Sequence, residues 1–267
     1  MRSGRVFAIV LRVFYLMCGS ATRIVPLFAW VTVDILLWGF ITRYLNSVAM
    51  TGFSFVPAML GAVLMWDFFI RVMQGVTMAF FEDVWSRNFL NIFAAPISIA
   101  EYVAGHVVSS IFTSAVGLVV MLLLATFAFG LSIFAYGALI VPFLLVLFLF
   151  AIGLGIFGSA VVLRLGPAAE WFVWPIPALI SPFVGVFYPL ATLPHWMQCV
   201  AYLLPPSYVF EGIRSIVKGG GVSSGSLLIG AALAVGYIIL ACGFFNWMYR
   251  VAVRTGLIAR YSAESVS

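Results

Sequence analysis

The feature that most constrains this chain is a series of apolar runs, each long enough to cross a bilayer. They lie at roughly 24–44, 54–80, 99–128, 133–163, 171–189 and 226–249, and about 20 such residues suffice for a spanning helix. A segment inside hydrocarbon must satisfy its own backbone N–H and C=O groups, so the runs read as helices. The expectation is an all-α polytopic membrane protein with six transmembrane helices. Composition agrees: 65% of residues are hydrophobic and 8% charged, against about a quarter charged in soluble domains. Mean hydropathy is +1.21. No composition break divides residues 1–267, which read as a single domain.

Residues 1–20 precede the first run and behave differently. Arg2 and Arg5 lie ahead of apolar residues as in a signal peptide, but Arg12 splits the run and no small-residue cleavage site follows. Helical spacing puts Phe7, Val10, Leu11 and Phe14 on one face and Arg5 and Arg12 on the other. The reading is an amphipathic interface helix with its arginines toward anionic headgroups. Docking of its apolar face on the protein's own spans fits the same pattern.

Orientation follows from the basic residues. With the N-terminus in the cytoplasm, Arg2, Arg5, Arg12, Arg23, Arg87, Arg164, Arg250, Arg254 and Arg260 fall inside. Only Arg43, Arg214 and Lys218 fall outside, and Arg71 lies within the second run. The excess of Lys and Arg in cytoplasmic loops selects this arrangement, with both termini inside. Residues 82–98 are then cytoplasmic and 190–225 external.

The cytoplasmic connection FEDVWSRNFLNIFAAPISIAE, residues 81–101, reads either as a short helix held at the membrane surface or as an ordinary polar loop with some helix. Its acidic pair, Glu82 and Asp83, suits a helix N-terminus. Pro96 disfavours helix at Ala95, and Ser98 is placed to cap the following run. The external connection is unusual too. It carries prolines at 182, 189, 194, 205 and 206 yet stays apolar between them, which predicts short helices folded back in or against the bilayer as a re-entrant pair.

Charges inside the spans are costly and rare. Asp34 falls near the middle of the first run, and Asp67 and Arg71 near the middle of the second. Asp67 and Arg71 are four apart on one helix face, with Gln74 a turn further on. They read either as an ion pair fixing helix packing or as part of a translocation pathway.

Other chemistries lack a constellation. His106 and His195 have no partner ligands that suggest a metal site. Cys18, Cys199 and Cys242 are scattered, without metal or disulfide spacing. No Ser, His and acid set suggests a hydrolase, and no G-x-x-x-x-G-K-[ST] suggests nucleotide binding. Catalytic residues, a metal and a cofactor in this chain are therefore not expected.

Two stretches together resemble the ABC type-2 transporter permeases, the export-type membrane subunits. One is FFEDVWSRNFLNIFAAPISIAEYVAG. The other runs through Ser181-Pro182, Tyr188-Pro189-Leu190 and Leu193-Pro194-His195-Trp196 to Pro206, Tyr208, Glu211 and Arg214. Pro205 departs from the family, where many relatives carry Asn. The resemblance implies that residues 82–94 form a coupling helix fitting a separate ATPase subunit, through Glu82, Asp83, Trp85, Arg87 and Phe89. It implies that the N-terminal helix is a second contact and that residues 190–216 cap the exit, with Pro189, Leu193, Pro194, Trp196, Pro206, Tyr208, Glu211 and Arg214 in the gate. The expected assembly is two copies of this chain with two ATPase chains, ATP and Mg being held by the latter, in a bacterial inner membrane. The expected activity is export of an amphiphile: a lipid, a glycolipid or polysaccharide, or a hydrophobic drug. The alternative is a secondary transporter or channel not driven by ATP. No nucleic-acid partner is expected.

Overall fold

The computed structural model describes residues 2–48, 56–86, 88–132, 137–221 and 223–256, and all its regular elements are helical. Helix α1 (Ser3–Cys18) precedes α2 (Ala21–Val48). A π-helical turn (Val56–Leu60) leads into α3 (Gly61–Trp85), followed by short α4 (Phe89–Ala94), α5 (Ile99–Phe129) and α6 (Ile140–Leu165). Then come α7 (Glu170–Val173), α8 (Ile176–Val184), α9 (His195–Ala201), α10 (Pro205–Val217) and α11 (Ser224–Arg254).

Among the described residues five helices are long and apolar enough to cross a membrane: Phe28–Val48, Ala58–Trp85, Ile99–Phe129, Gly137–Leu165 and Ser224–Arg254. The expected span at 171–189 is not one long helix. Trp174 and Pro175 form a turn between α7 and α8, and Gly185 ends α8 in the left-handed conformation at φ +67°. Proline cannot supply the N–H that would continue α7, so the run divides there. Hydropathy registers the apolar character but not this break.

Helix α3 forms the centre. It is the most enclosed of the long helices, with Phe69, Val72, Phe80 and Phe81 nearly inaccessible. It packs between α5 and α6, and α6 packs in turn along α11. The glycines of α6 explain these close approaches. A Cβ on Gly155 would come 2.9 Å from the Met73 carbonyl oxygen of α3, whereas Gly153 faces the backbone of Tyr237 and Ile238 on α11. Two residues apart, they serve two neighbours, as helical spacing requires.

Helix α2 is more peripheral. Val31, Ile35, Gly39 and Thr42 face inward, while Trp30, Val33, Leu37, Phe40 and Tyr44 are exposed along its other side. In a membrane helix such a face meets lipid or another helix rather than water. Helices α8 to α10 gather where α3 and α11 begin; α1 and α4 lie at the opposite end, where α3 finishes and α5 starts.

A braced helix terminus as the candidate functional site

The expected coupling segment is divided differently from the sequence reading. Glu82, Asp83 and Trp85 form the last turn of α3, and a separate short helix, α4, begins only at Phe89. The acidic pair therefore closes a helix rather than opening one. Negative charge is unfavourable at a helix C-terminus, and the fold answers with partners from elsewhere. Arg87 lies outside the described residues.

Asp83 is 1% exposed. Its Oδ1 accepts a hydrogen bond and ion pair from Arg12 Nη2 of α1, and its Oδ2 accepts from the Tyr102 hydroxyl of α5 at 2.7 Å. The Asp83 hydrogen bond holds the Arg12 guanidinium above its ordinary pKa, outweighing the effect of burial. Asp83 thus faces into the bundle and presents no surface to a partner, which corrects its expected place in a coupling contact. Glu82 is half-buried, and Trp85 is 45% exposed beside Phe81.

One turn beyond α4 the chain repeats the device. Ala95 is extended before Pro96, and Ser98 caps α5 as expected. Its hydroxyl accepts from Glu101 N–H at 3.2 Å, and its own N–H donates to Glu101 Oε2 at 3.0 Å. Such a capping box satisfies two otherwise orphaned donors. Glu101 also reaches α1, accepting from Arg2 N–H at 2.8 Å and from Arg5 Nη1 at 3.3 Å.

The arginine face of α1 is therefore turned toward the protein rather than toward headgroups. Two carboxylates on α3 and α5 require cationic partners in a poorly solvated place. Between the arginines Ile9 docks where a Cβ on Gly105 would lie 2.6 Å from its own Cβ. Phe7, Phe14 and Tyr15 are left exposed. Sequence reading missed Tyr102 and set His106 aside as isolated. Helical spacing carries the signal: Glu101, Tyr102 and His106 fall on neighbouring positions of the first two turns of α5.

Mid-bundle, Asp67 and Arg71 lie in electrostatic reach on α3, and Asp34 of α2 is within reach of Asp67. Oδ2 of Asp67 is buried without a hydrogen bond from the described residues, as is the hydroxyl of Ser114 on α5. Arg71 packs against Gly117 of α5. Gln74, on α3, is half-buried.

At the other end, Glu211 Oε1 accepts from Leu190 N–H at 2.7 Å and from Arg214 Nη2 at 3.1 Å. Tyr208 donates to the Tyr202 carbonyl at 2.8 Å. Pro205 and Pro206 open α10, where a missing N–H costs nothing. Pro189 precedes a 3-10 turn, Leu190–Thr192, which ends at Leu193, and Pro194 precedes α9. Trp196 is exposed, with its ring against Phe183. His195 is not isolated, since Cys199 Sγ lies 3.8 Å from its Nδ1. Among the described residues, however, no three His, Cys, Asp or Glu side chains come together to hold a metal.

A family model described as ABC-2 type transporter matches residues 6–217. The match runs from the clamped N-terminal helix through the end of α10. No curated protein matches the chain.

Proposed function

This chain belongs to the ABC-2 type transporter family and is a membrane permease component, and from that premise we propose that it is the membrane half of an ATP-driven exporter. Its ATPase would be a separate subunit, and the pathway would form between two copies of this chain. The orientation follows the arginines, with α1, α4 and both termini in the cytoplasm of a bacterial cell.

The observation that carries the reading is the braced end of α3 and α5. Short helix α4 is joined directly to both. A partner pressing on α4 and Trp85 would move the ends of two packed helices at once, with α1 attached through Arg12 and Arg5. This is the kind of discrete, packed element through which a local push becomes a rearrangement of a bundle. We assign the contact to Trp85 and Glu82, with Arg87 and Phe89 added as the family resemblance implies; Asp83 supports it from within.

We assign a sixth crossing to α7 and α8 together. Val173 packs where a Cβ on Gly158 would meet it at 2.6 Å, and Phe187 stacks on Trp38 with ring centroids 4.6 Å apart. Helices α9 and α10 then form the external cap. The apolar interior, interrupted by Asp34, Asp67 and Arg71, suits an amphiphile: a lipid, a glycolipid or polysaccharide, or a hydrophobic drug. ATP and Mg would be held by the partner. Co-purification with an ABC ATPase, and hydrolysis stimulated by a lipid-like substrate in proteoliposomes, tests the reading. Uptake driven by an ion gradient without ATP would overturn it in favour of a secondary transporter.

A further inference from the structure

His106 is the buried polar group for which this reading has no use. It is 2% exposed, and neither ring nitrogen has a hydrogen-bond partner among the described residues. The ring stands edge-on to Tyr102, centroids 4.4 Å apart, with Nε2 3.6 Å from Asp83 Oδ2. That is beyond hydrogen-bond distance. A small cavity lined by His106, Tyr102, Val76, Phe80 and Ser159 adjoins it. An unsatisfied buried donor costs stability in the state that leaves it so, which favours any state that satisfies it.

We propose that Asp83 is a positioning residue with two exchangeable partners: it holds α1 through Arg12 in the state described here, and accepts from His106 Nε2–H when α1 is drawn away. Helix α1 is then a releasable latch on the coupling end of the permease. The exchange needs no added proton, because a neutral imidazole carries one N–H. Arg12 keeps its charge on leaving; its side chain is already 31% exposed, and Glu82 remains in electrostatic reach. Loss of Arg12 frees Asp83 Oδ1, and a turn of the carboxylate lets one oxygen keep Tyr102 while the other takes His106; Glu101 gives α1 a second hold through Arg5 and Arg2 N–H. The purpose of the latch rests on the transport reading, whereas the exchange is a property of this chain alone.

Hydrogen exchange of the 3–18 amides, in full-length permease reconstituted in lipid nanodiscs, reads the released state directly. Arg12→Gln is expected to speed that exchange. His106→Phe, which removes the alternative donor, is expected to slow it about fivefold, the worth of one hydrogen bond. His106→Gln keeps an N–H donor and should return exchange toward wild type. Mere relief of an unsatisfied buried donor would slow exchange across α3 and α5 as well, whereas loss of the alternative partner slows it in residues 3–18 alone; equal slowing in all three helices overturns the proposal. Equal or faster exchange in His106→Phe overturns the proposal. Should that variant not fold, His106→Leu against His106→Gln makes the same comparison. With the ATPase present, His106→Phe should hydrolyse ATP at the wild-type rate and transport less per ATP. A wild-type permease that recruits no ATPase would sink the transport reading and leave the exchange result standing.

Discussion

Gly117 of α5 yields the space of a side chain to Arg71 of α3. A Cβ there would lie 2.6 Å from the arginine Cδ and 2.8 Å from Nε. The glycine lets a charged side chain lie between two spans. Gly117→Ala should displace a flexible side chain at modest cost, about 1 kcal/mol. Gly117→Leu should expel Arg71 from its place, and its transport defect should then match that of Arg71→Ala. Thermal unfolding in detergent and proteoliposome transport separate the two effects. A fully active Gly117→Leu would show that the position of Arg71 is immaterial.

Arg71→Ala leaves Asp67 without the positive charge nearest it on α3. A loss of about 1–3 kcal/mol is expected from the uncompensated buried polar group. Replacing Asp67 and Arg71 together by apolar residues should recover most of that stability, as for other buried pairs. Transport by the double variant then assigns the pair: loss with full stability places it in the pathway, and retention makes it structural.

At the opposite end, Glu211 anchors the 3-10 turn to α10. Glu211→Ala should release Leu190 N–H and leave Arg214 without its acid, costing about 0.5–1.5 kcal/mol because Glu211 is partly exposed. Glu211→Gln keeps the acceptor for Leu190 and should recover the larger part. A melting series that ranks Ala with Gln would show that Arg214, not the backbone N–H, is what Glu211 serves.

The contact with an ATPase is tested at Trp85 and Phe89. Burying one such side chain is worth about 1.5–3 kcal/mol, so Trp85→Ala with Phe89→Ala should weaken association tenfold or more. Folding and membrane insertion should be unaffected. Asp83→Asn should do the reverse, since the residue is enclosed: the ATPase still binds while the permease loses stability. Undiminished association in the Trp85 and Phe89 variant would return α4 to the status of a connecting turn.

Much of this architecture is legible in the sequence because lipid imposes a single rule on every span. Apolar length alone locates the five long helices, and Pro96 with Ser98 locates the start of α5. The break at Pro175 was not read, since hydropathy averages over the turn that proline makes. Nor was the direction of α1. Its two faces are evident from spacing, but which face meets protein depends on Asp83 and Glu101, some 71 and 96 residues away from their arginines. The acids of the last turn of α3 were misplaced for the same reason. A local rule assigns negative charge to a helix start, and only the tertiary partners explain its presence at an end.

The clamp on Asp83 also imposes an order on synthesis. The ribosome delivers Arg12 first, Asp83 next and Tyr102 last, so the three cannot meet until the beginning of α5 has been made. Until then α3 ends on two acids at the negative pole of its own dipole, with α1 as its sole counter-charge among these partners. A nascent chain arrested before residue 99 would carry Arg12 and Asp83 without the tyrosine that fixes the carboxylate or the glutamate that anchors Arg5. The N-terminal helix, although made first, thus cannot reach its final place until the first turn of α5 has been made.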